Sequence, residues 1–377
     1  MFYITRTIES DIKKRLFSGK AIIVYGPRQS GKTTMIKHII RPHDKDTLWL
    51  NGDSPDIRDM LENVTVTKWK AILGSKKFIV IDEAQRITNI GLAIKLLVDE
   101  LPEIQLIATG SSAFELADKT SEPLTGRKFE YHLLPLSFGE MCGKHGLLEE
   151  KRALEQRMLY GSYPEIISKP GDEQPLLSML AGSYLYKDLL MLENIKKPQL
   201  LDKLIRAVAL QIGSEVSTSE LAKLTGADNK TVDKYIDLLE KSYVVFTLSA
   251  FSRNARKEIR KSRKIFFYDL GIRNAVLGNF VPVTSRTDIG GLWENYLILE
   301  RIKLQYNQPF PPRCHFWRTT EQQEVDYIEE SSDTLSAWKF KWKKDSKVKI
   351  PVTFTNAYPK AKTAFVTPAN YDEFLLS

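Results

Sequence analysis

Four apolar runs in the first third of the chain each stop at small or acidic residues. Ala21-Ile22-Ile23-Val24-Tyr25 runs into Gly26, and Thr47-Leu48-Trp49-Leu50 into Asn51-Gly52-Asp53. Phe78-Ile79-Val80-Ile81 runs into Asp82-Glu83, and Leu106-Ile107-Ala108 into Thr109-Gly110-Ser111-Ser112. A fifth candidate is Phe129-Glu130-Tyr131-His132-Leu133-Leu134. Short runs without polar alternation suit strands buried on both faces. Here they alternate with helical segments. The pattern predicts an α/β core built on a doubly wound parallel sheet, with ligands at the C-terminal strand ends.

The pattern then changes. Residues 151–201 read as helical. Thr218-Ser219-Glu220-Leu221-Ala222-Lys223-Leu224 predicts a short helix with an N-terminal hydroxyl cap, ended by Gly226. Residues 228–240 predict a second helix with Val232, Tyr235, Ile236 and Leu239 as its apolar stripe. Two helices joined by a glycine turn predict a helix-turn-helix. Residues 244–248 and 264–268 would pair beside it as a wing. Further on, Leu292-Trp293-Glu294-Asn295-Tyr296 opens a helix, Glu324-Val325-Asp326-Tyr327-Ile328 reads as a strand, and Ala337-Trp338-Lys339-Phe340-Lys341-Trp342 alternates strictly. The domain boundaries expected from these shifts are 1–145, 146–200, 201–275 and 276–377.

The first strand end carries chemistry. Gly26-Pro27-Arg28-Gln29-Ser30-Gly31-Lys32-Thr33, followed by Thr34, has the spacing of a phosphate-binding P-loop between strand and helix. Glycines at both ends permit turns that a β-carbon would obstruct. The amides from Gln29 to Thr34 would form an anion nest at a helix N-terminus. Lys32 would reach the β- and γ-phosphates, and the Thr33 hydroxyl would ligate Mg²⁺. Arg28 is a further candidate phosphate contact. Asp82 would bind Mg²⁺ through water, and Glu83 would orient and deprotonate the attacking water. At the next strand end a hydroxyl would sense the γ-phosphate or hold that water. Ser111 is chosen over Thr109 and Ser112, with a helix N-cap as the other reading of each. The ligands expected are ATP and Mg²⁺.

These segments resemble a family of bacterial and archaeal AAA+-type ATPases in which an ATPase core precedes a C-terminal region of uncharacterised function. The resemblance rests on residues 26–34, 79–85, 109–112, and Leu124-Thr125-Gly126-Arg127 followed by Leu134-Pro135-Leu136-Ser137-Phe138. It continues through Gly161-Ser162-Tyr163-Pro164-Glu165 and Tyr184-Leu185-Tyr186-Lys187-Asp188. It implies ATP hydrolysis, an oligomer of like subunits, and an arginine at Arg127 that neutralises transition-state charge in cis or across a subunit interface. An ordinary surface arginine is the alternative. The last quarter resembles restriction-type nucleases, which need an aspartate on one strand and then a glutamate and lysine two apart on the next. Asp326 and Lys341 fit, but Lys339 stands where the glutamate belongs. An ammonium group repels a divalent cation, so the expected fold is a P-loop ATPase core, a winged helix-turn-helix and a degenerate restriction-endonuclease-like α/β domain.

Composition narrows the class. The 377 residues exceed one typical domain, and 42% hydrophobic content argues against wholesale disorder. Two distant cysteines imply a reducing compartment, and no run approaches a membrane span, so a cytoplasmic protein is expected. Net charge is +8, with Arg253, Arg256, Lys257, Arg260, Lys261, Arg263 and Lys264 close together and six lysines between 339 and 349. Lys230, Lys234, Arg256, Lys257, Arg260 and Lys261 are candidate DNA contacts. A solvated basic face or an acidic partner fits the charge equally, and Asp228, Asp233, Asp237 and Glu240 on the second helix would repel phosphate. The functional expectation is an ATPase acting on or regulated by DNA. The alternatives are a nucleotide switch that binds protein and, lower, a Mg²⁺-dependent nuclease.

Overall fold

The computed structural model describes residues 3–110, 124–182, 198–251, 263–343 and 349–377. The chain divides into two compact units, Met1–Leu136 with Lys241–Tyr243, and Ser137–Glu240 with Val244–Ser377. Among the described residues no helix is long and apolar enough to cross a membrane.

The first unit is built on the five expected strands, β1 (Ala21–Tyr25), β2 (Thr47–Asn51), β3 (Phe78–Asp82), β4 (Gln105–Gly110) and β5 (Lys128–His132). They form one parallel sheet in the order β2-β3-β4-β1-β5. The three central strands are buried along their whole length, which is why their apolar runs are continuous. Five helices of this unit are α1 (Glu9–Arg15), α2 (Lys32–Ile40), α3 (Pro55–Glu62), α4 (Val66–Leu73) and α5 (Ile90–Glu100). Met35, Ile36 and Ile39 on α2 pack with Ile22, Val24, Phe78, Val80 and Ile107 of the sheet. Full burial of each such side chain contributes about 1.5–3 kcal/mol. The register pairs Tyr25 with Gly110 and Asn51 with Asp82, so the turns after β1, β2, β3 and β4 share one edge.

The second unit corrects the sequence reading. Its sheet has seven strands, ordered β12-β11-β10-β9-β7-β8-β6. These are β6 (Glu215–Val216), β7 (Val245–Ala250), β8 (Arg263–Phe267), β9 (Arg313–Arg318), β10 (Glu324–Glu330), β11 (Leu335–Phe340) and β12 (Lys362–Val366). β7 and β8 pair antiparallel. But β7 also pairs parallel with β9, Ser249 opposite His315 and Ala250 opposite Phe316. The expected wing and the expected nuclease-like strands therefore share one sheet. A free β7 edge would expose a row of unpaired amides, and β9 covers it. The two helices lie at Thr218–Thr225 and Asn229–Lys241, with Gly226 left-handed between them (φ 72°). The cap of the first is Ser217, whose hydroxyl accepts from Glu220 N–H at 3.1 Å; Thr218 instead donates to Asp233.

Candidate functional site

β1 ends against the loop that the sequence singled out. At Gly26 the backbone has φ 151°, and an added Cβ would lie 2.1 Å from the Leu133 carbonyl oxygen. Gln29 is left-handed (φ 55°), and Gly31 (φ 96°) stands as the N-cap of α2. The loop thus takes the turns that glycine permits and opens a helix, the arrangement an anion nest needs. Lys32 is buried, and its ammonium donates to the carbonyls of Gly26 (2.7 Å) and Pro27 (2.8 Å). Pro27 and Ser30 are buried, Arg28 is half-buried, and Gln29 and Thr34 are exposed.

The ends of β3 and β4 meet the start of α2. Thr33 Oγ1 donates to Asp82 Oδ2 at 2.9 Å. Thr109 Oγ1 donates to the other oxygen, Asp82 Oδ1, and accepts from Glu83 N–H at 3.1 Å. Hydroxyl and carboxylate oxygens side by side are the hard donors that Mg²⁺ takes, so Thr33 and Asp82 fit that ion. Glu83 is left-handed (φ 51°), a rare state for a residue with a β-carbon. The β2 turn braces it. Gly52 N–H donates to Asp82 O at 2.8 Å, and a Cβ on Gly52 would sit 2.4 Å from the Glu83 carbonyl oxygen. Arg86 lies 3.4 Å from Asp53, and Gln85 Nε2 donates to Glu83 Oε2 at 2.6 Å.

Sequence reasoning missed two members of this constellation. Thr109, passed over in favour of Ser111, is fully buried and bridges Asp82 to Glu83; Ser111 lies outside the described residues. Arg6 is buried beneath the loop, donating to Ser30 O (2.8 Å) and Leu134 O (2.5 Å). Its own N–H donates to Glu9 at 2.8 Å. Burial pushes the Glu9 carboxyl up, but hydrogen bonds from Tyr3, Arg6 N–H and His38 outweigh it and hold the group below its ordinary value.

Arg127 does not join the site. It precedes β5, and its carbonyl accepts from Ala21 N–H at 2.9 Å, at the start of β1. In a parallel sheet that is the end opposite Gly26. Its guanidinium pairs with Asp99 at 2.6 Å. Within one chain it cannot reach a phosphate at the loop, which removes the cis role.

In the second unit, Lys230 and Lys234 are exposed on helix Asn229–Lys241. Arg256, Lys257, Arg260 and Lys261 lie outside the described residues. Two other members of the basic run are held in ion pairs. Arg263 pairs with Asp233 at 2.6 Å. Lys264 is buried between Glu294 (2.7 Å) and Glu324 (2.5 Å). Nearby, Lys339 Nζ donates to Asp326 Oδ1 at 2.7 Å, and Phe340 N–H donates to Oδ2 at 2.6 Å. Burial and the neighbouring Asp326 charge push the Glu294 carboxyl up to about 7, while Lys264 pulls the other way. Three carboxylates, Glu294, Glu324 and Asp326, face the ammonium groups of Lys264 and Lys339. Among the described residues no group of three His, Cys, Asp or Glu side chains is arranged to hold a metal ion.

Three family descriptions match the chain: AAA domain over residues 18–142, and two domains of unknown function, DUF8612 over 151–282 and DUF4143 over 289–374. An uncharacterised protein of Mycobacterium tuberculosis is 24% identical over 86% of this chain and 71% of its own length. One of Methanocaldococcus jannaschii is 24% identical over 78% and 69%. Among solved structures, the Aeropyrum pernix ORC1 protein in complex with DNA is similar at 15% identity over 74% of this chain and 93% of that one, with a TM-score of 0.32. The phosphate loop, Asp82, Glu83 and Thr109 all fall within the segment that matches the AAA domain description.

Proposed function

We propose that the first unit binds ATP with Mg²⁺ and hydrolyses it. The observation that carries this reading is the joining of Thr33, Asp82, Thr109 and Glu83 into one hydrogen-bonded chain beside the glycine loop. When bound between Thr33 and Asp82, Mg²⁺ would neutralise phosphate charge. Lys32 exchanges its two carbonyl partners for phosphate oxygens, replacing neutral acceptors by charged ones. Glu83 accepts the proton of the attacking water. Arg127 acts on the site of a second copy. Lys32→Ala is expected to abolish nucleotide binding. Glu83→Gln is expected to bind ATP normally and to turn it over about 10²–10⁴ times more slowly. Turnover at the parental rate in Glu83→Gln would remove Glu83 from its role.

A second reading concerns regulation by DNA. Acids on the second helix are engaged within the second unit: Asp228 accepts from Thr231, Asp233 pairs with Arg263, and Glu240 accepts from Thr247. Lys230 and Lys234 on the same helix are exposed, which supports a phosphate-facing surface. ATP turnover stimulated by DNA and weakened by salt is expected. A rate unchanged by single-stranded, duplex and branched DNA would favour the protein-binding switch. Lys339 on Asp326 supports a nuclease-like frame that does not cleave.

A further inference from the structure

Glu83 ends a buried strand in a left-handed turn, and only one side chain donates to its carboxylate among the contacts of the described residues. That side chain is Gln85, two residues on, within the single 3-10 turn Ala84–Arg86. Its Nε2 reaches Glu83 Oε2 at 2.6 Å, short for an amide and typical of a donor facing a charged oxygen. The amide's other atom is informative. Among the described residues Gln85 Oε1 is buried and has no hydrogen-bond partner. Buried orphan acceptors are rare in folded proteins. Turning the amide over would aim Oε1 at the carboxylate and bring two acceptors together. The orientation is therefore dictated by Glu83.

The consequence for a carboxylate is geometric. Held at Oε2, it is fixed in rotation, and Oε1 accepts from no side chain among the contacts of the described residues. The backbone beneath it is fixed independently, by Thr109 on its N–H and by Gly52 against its carbonyl. The side chain would otherwise rotate about its own torsions. A general base must lie within hydrogen-bond reach of the proton it takes, so restraint at this point bears on rate and not on nucleotide affinity.

We propose that Gln85 is a positioning residue for ATP hydrolysis, clamping the Glu83 carboxylate in the orientation that receives the proton of the attacking water. The inference rests on the ATPase reading above. It is tested on the full chain by steady-state ATP turnover of Gln85→Ala and of the near-isosteric Gln85→Met, each alone and combined with Glu83→Gln. Either single variant should lower kcat about tenfold or more, leaving KM and the affinity for ATP within about twofold. In the Glu83→Gln background neither should cost anything further, because the group it positions is already gone. A kcat within about twofold of the parent, or an equal loss in both backgrounds, overturns the proposal. If the parental chain turns over no ATP, the ATPase reading itself falls; parental turnover with unaffected Gln85 variants sinks this inference alone.

Discussion

Single residues decide whether the strand ends can work together. The glycine loop was legible in the sequence because its chemistry needs contiguous residues. Asp82 and Glu83 were legible because an apolar run ends on them. Thr109 was not, since Thr109, Ser111 and Ser112 look alike until the register places Val24 opposite Thr109. Arg6 lies 24 residues from the carbonyl it holds, and no periodic pattern links the two. Thr109→Val tests the bridge. It keeps the volume but removes the hydroxyl that donates to Asp82 and accepts from Glu83 N–H. Leaving those groups unsatisfied costs about 1–3 kcal/mol. ATP turnover should fall about tenfold or more with the fold intact by circular dichroism; an unchanged rate would mean the bridge is incidental.

At the scale of elements, existence was easier to read than partnership. The five strands of the first sheet follow from their apolar runs, yet nothing in period-2 alternation says that β7 pairs with β9. That contact joins strands more than sixty residues apart in sequence, and only the edge it covers explains it. Helix capping gives a measurable case. Asp269 caps helix Leu270–Leu277 through Ile272 N–H (3.0 Å) and accepts from Ser162 N–H (2.8 Å). Gly161 packs so close that a Cβ there would meet the carboxylate at 2.1 Å. Burial pushes Asp269 from its ordinary 3.8 up to about 6. A raised carboxyl favours folding below its unfolded value, and that contribution is lost as pH rises through about 6. The full difference is about 3 kcal/mol. Relative to the parent, Asp269→Asn should gain stability in urea unfolding between pH 4 and 7 by roughly that amount. A constant difference across this range would refute the burial account.

At the scale of the whole molecule, composition announced two or more domains but not how strands would be shared between them. The helix-turn-helix, wing and nuclease-like segments were read as successive modules, and six of their strands besides β6 share one sheet. Arg127 makes the corresponding functional point. Its position after β4 resembled that of an arginine that completes a nucleotide site, but the parallel sheet carries it to the far end. A second copy would have to supply it. Arg127→Ala and Lys32→Ala should each lose ATP turnover, and mixing them should restore part of it, since a mixed interface pairs an intact loop with an intact arginine. A mixture as inactive as its components would rule out sharing across copies.

The central claim is that the loop from Gly26 to Thr33 grips a triphosphate. Calorimetric titration of the full chain with ATP and Mg²⁺ tests it most directly. The account predicts saturable binding in the range of about 1 μM to 1 mM, abolished by Lys32→Ala. No heat of binding at millimolar nucleotide and magnesium, or equal affinity in Lys32→Ala, would contradict it.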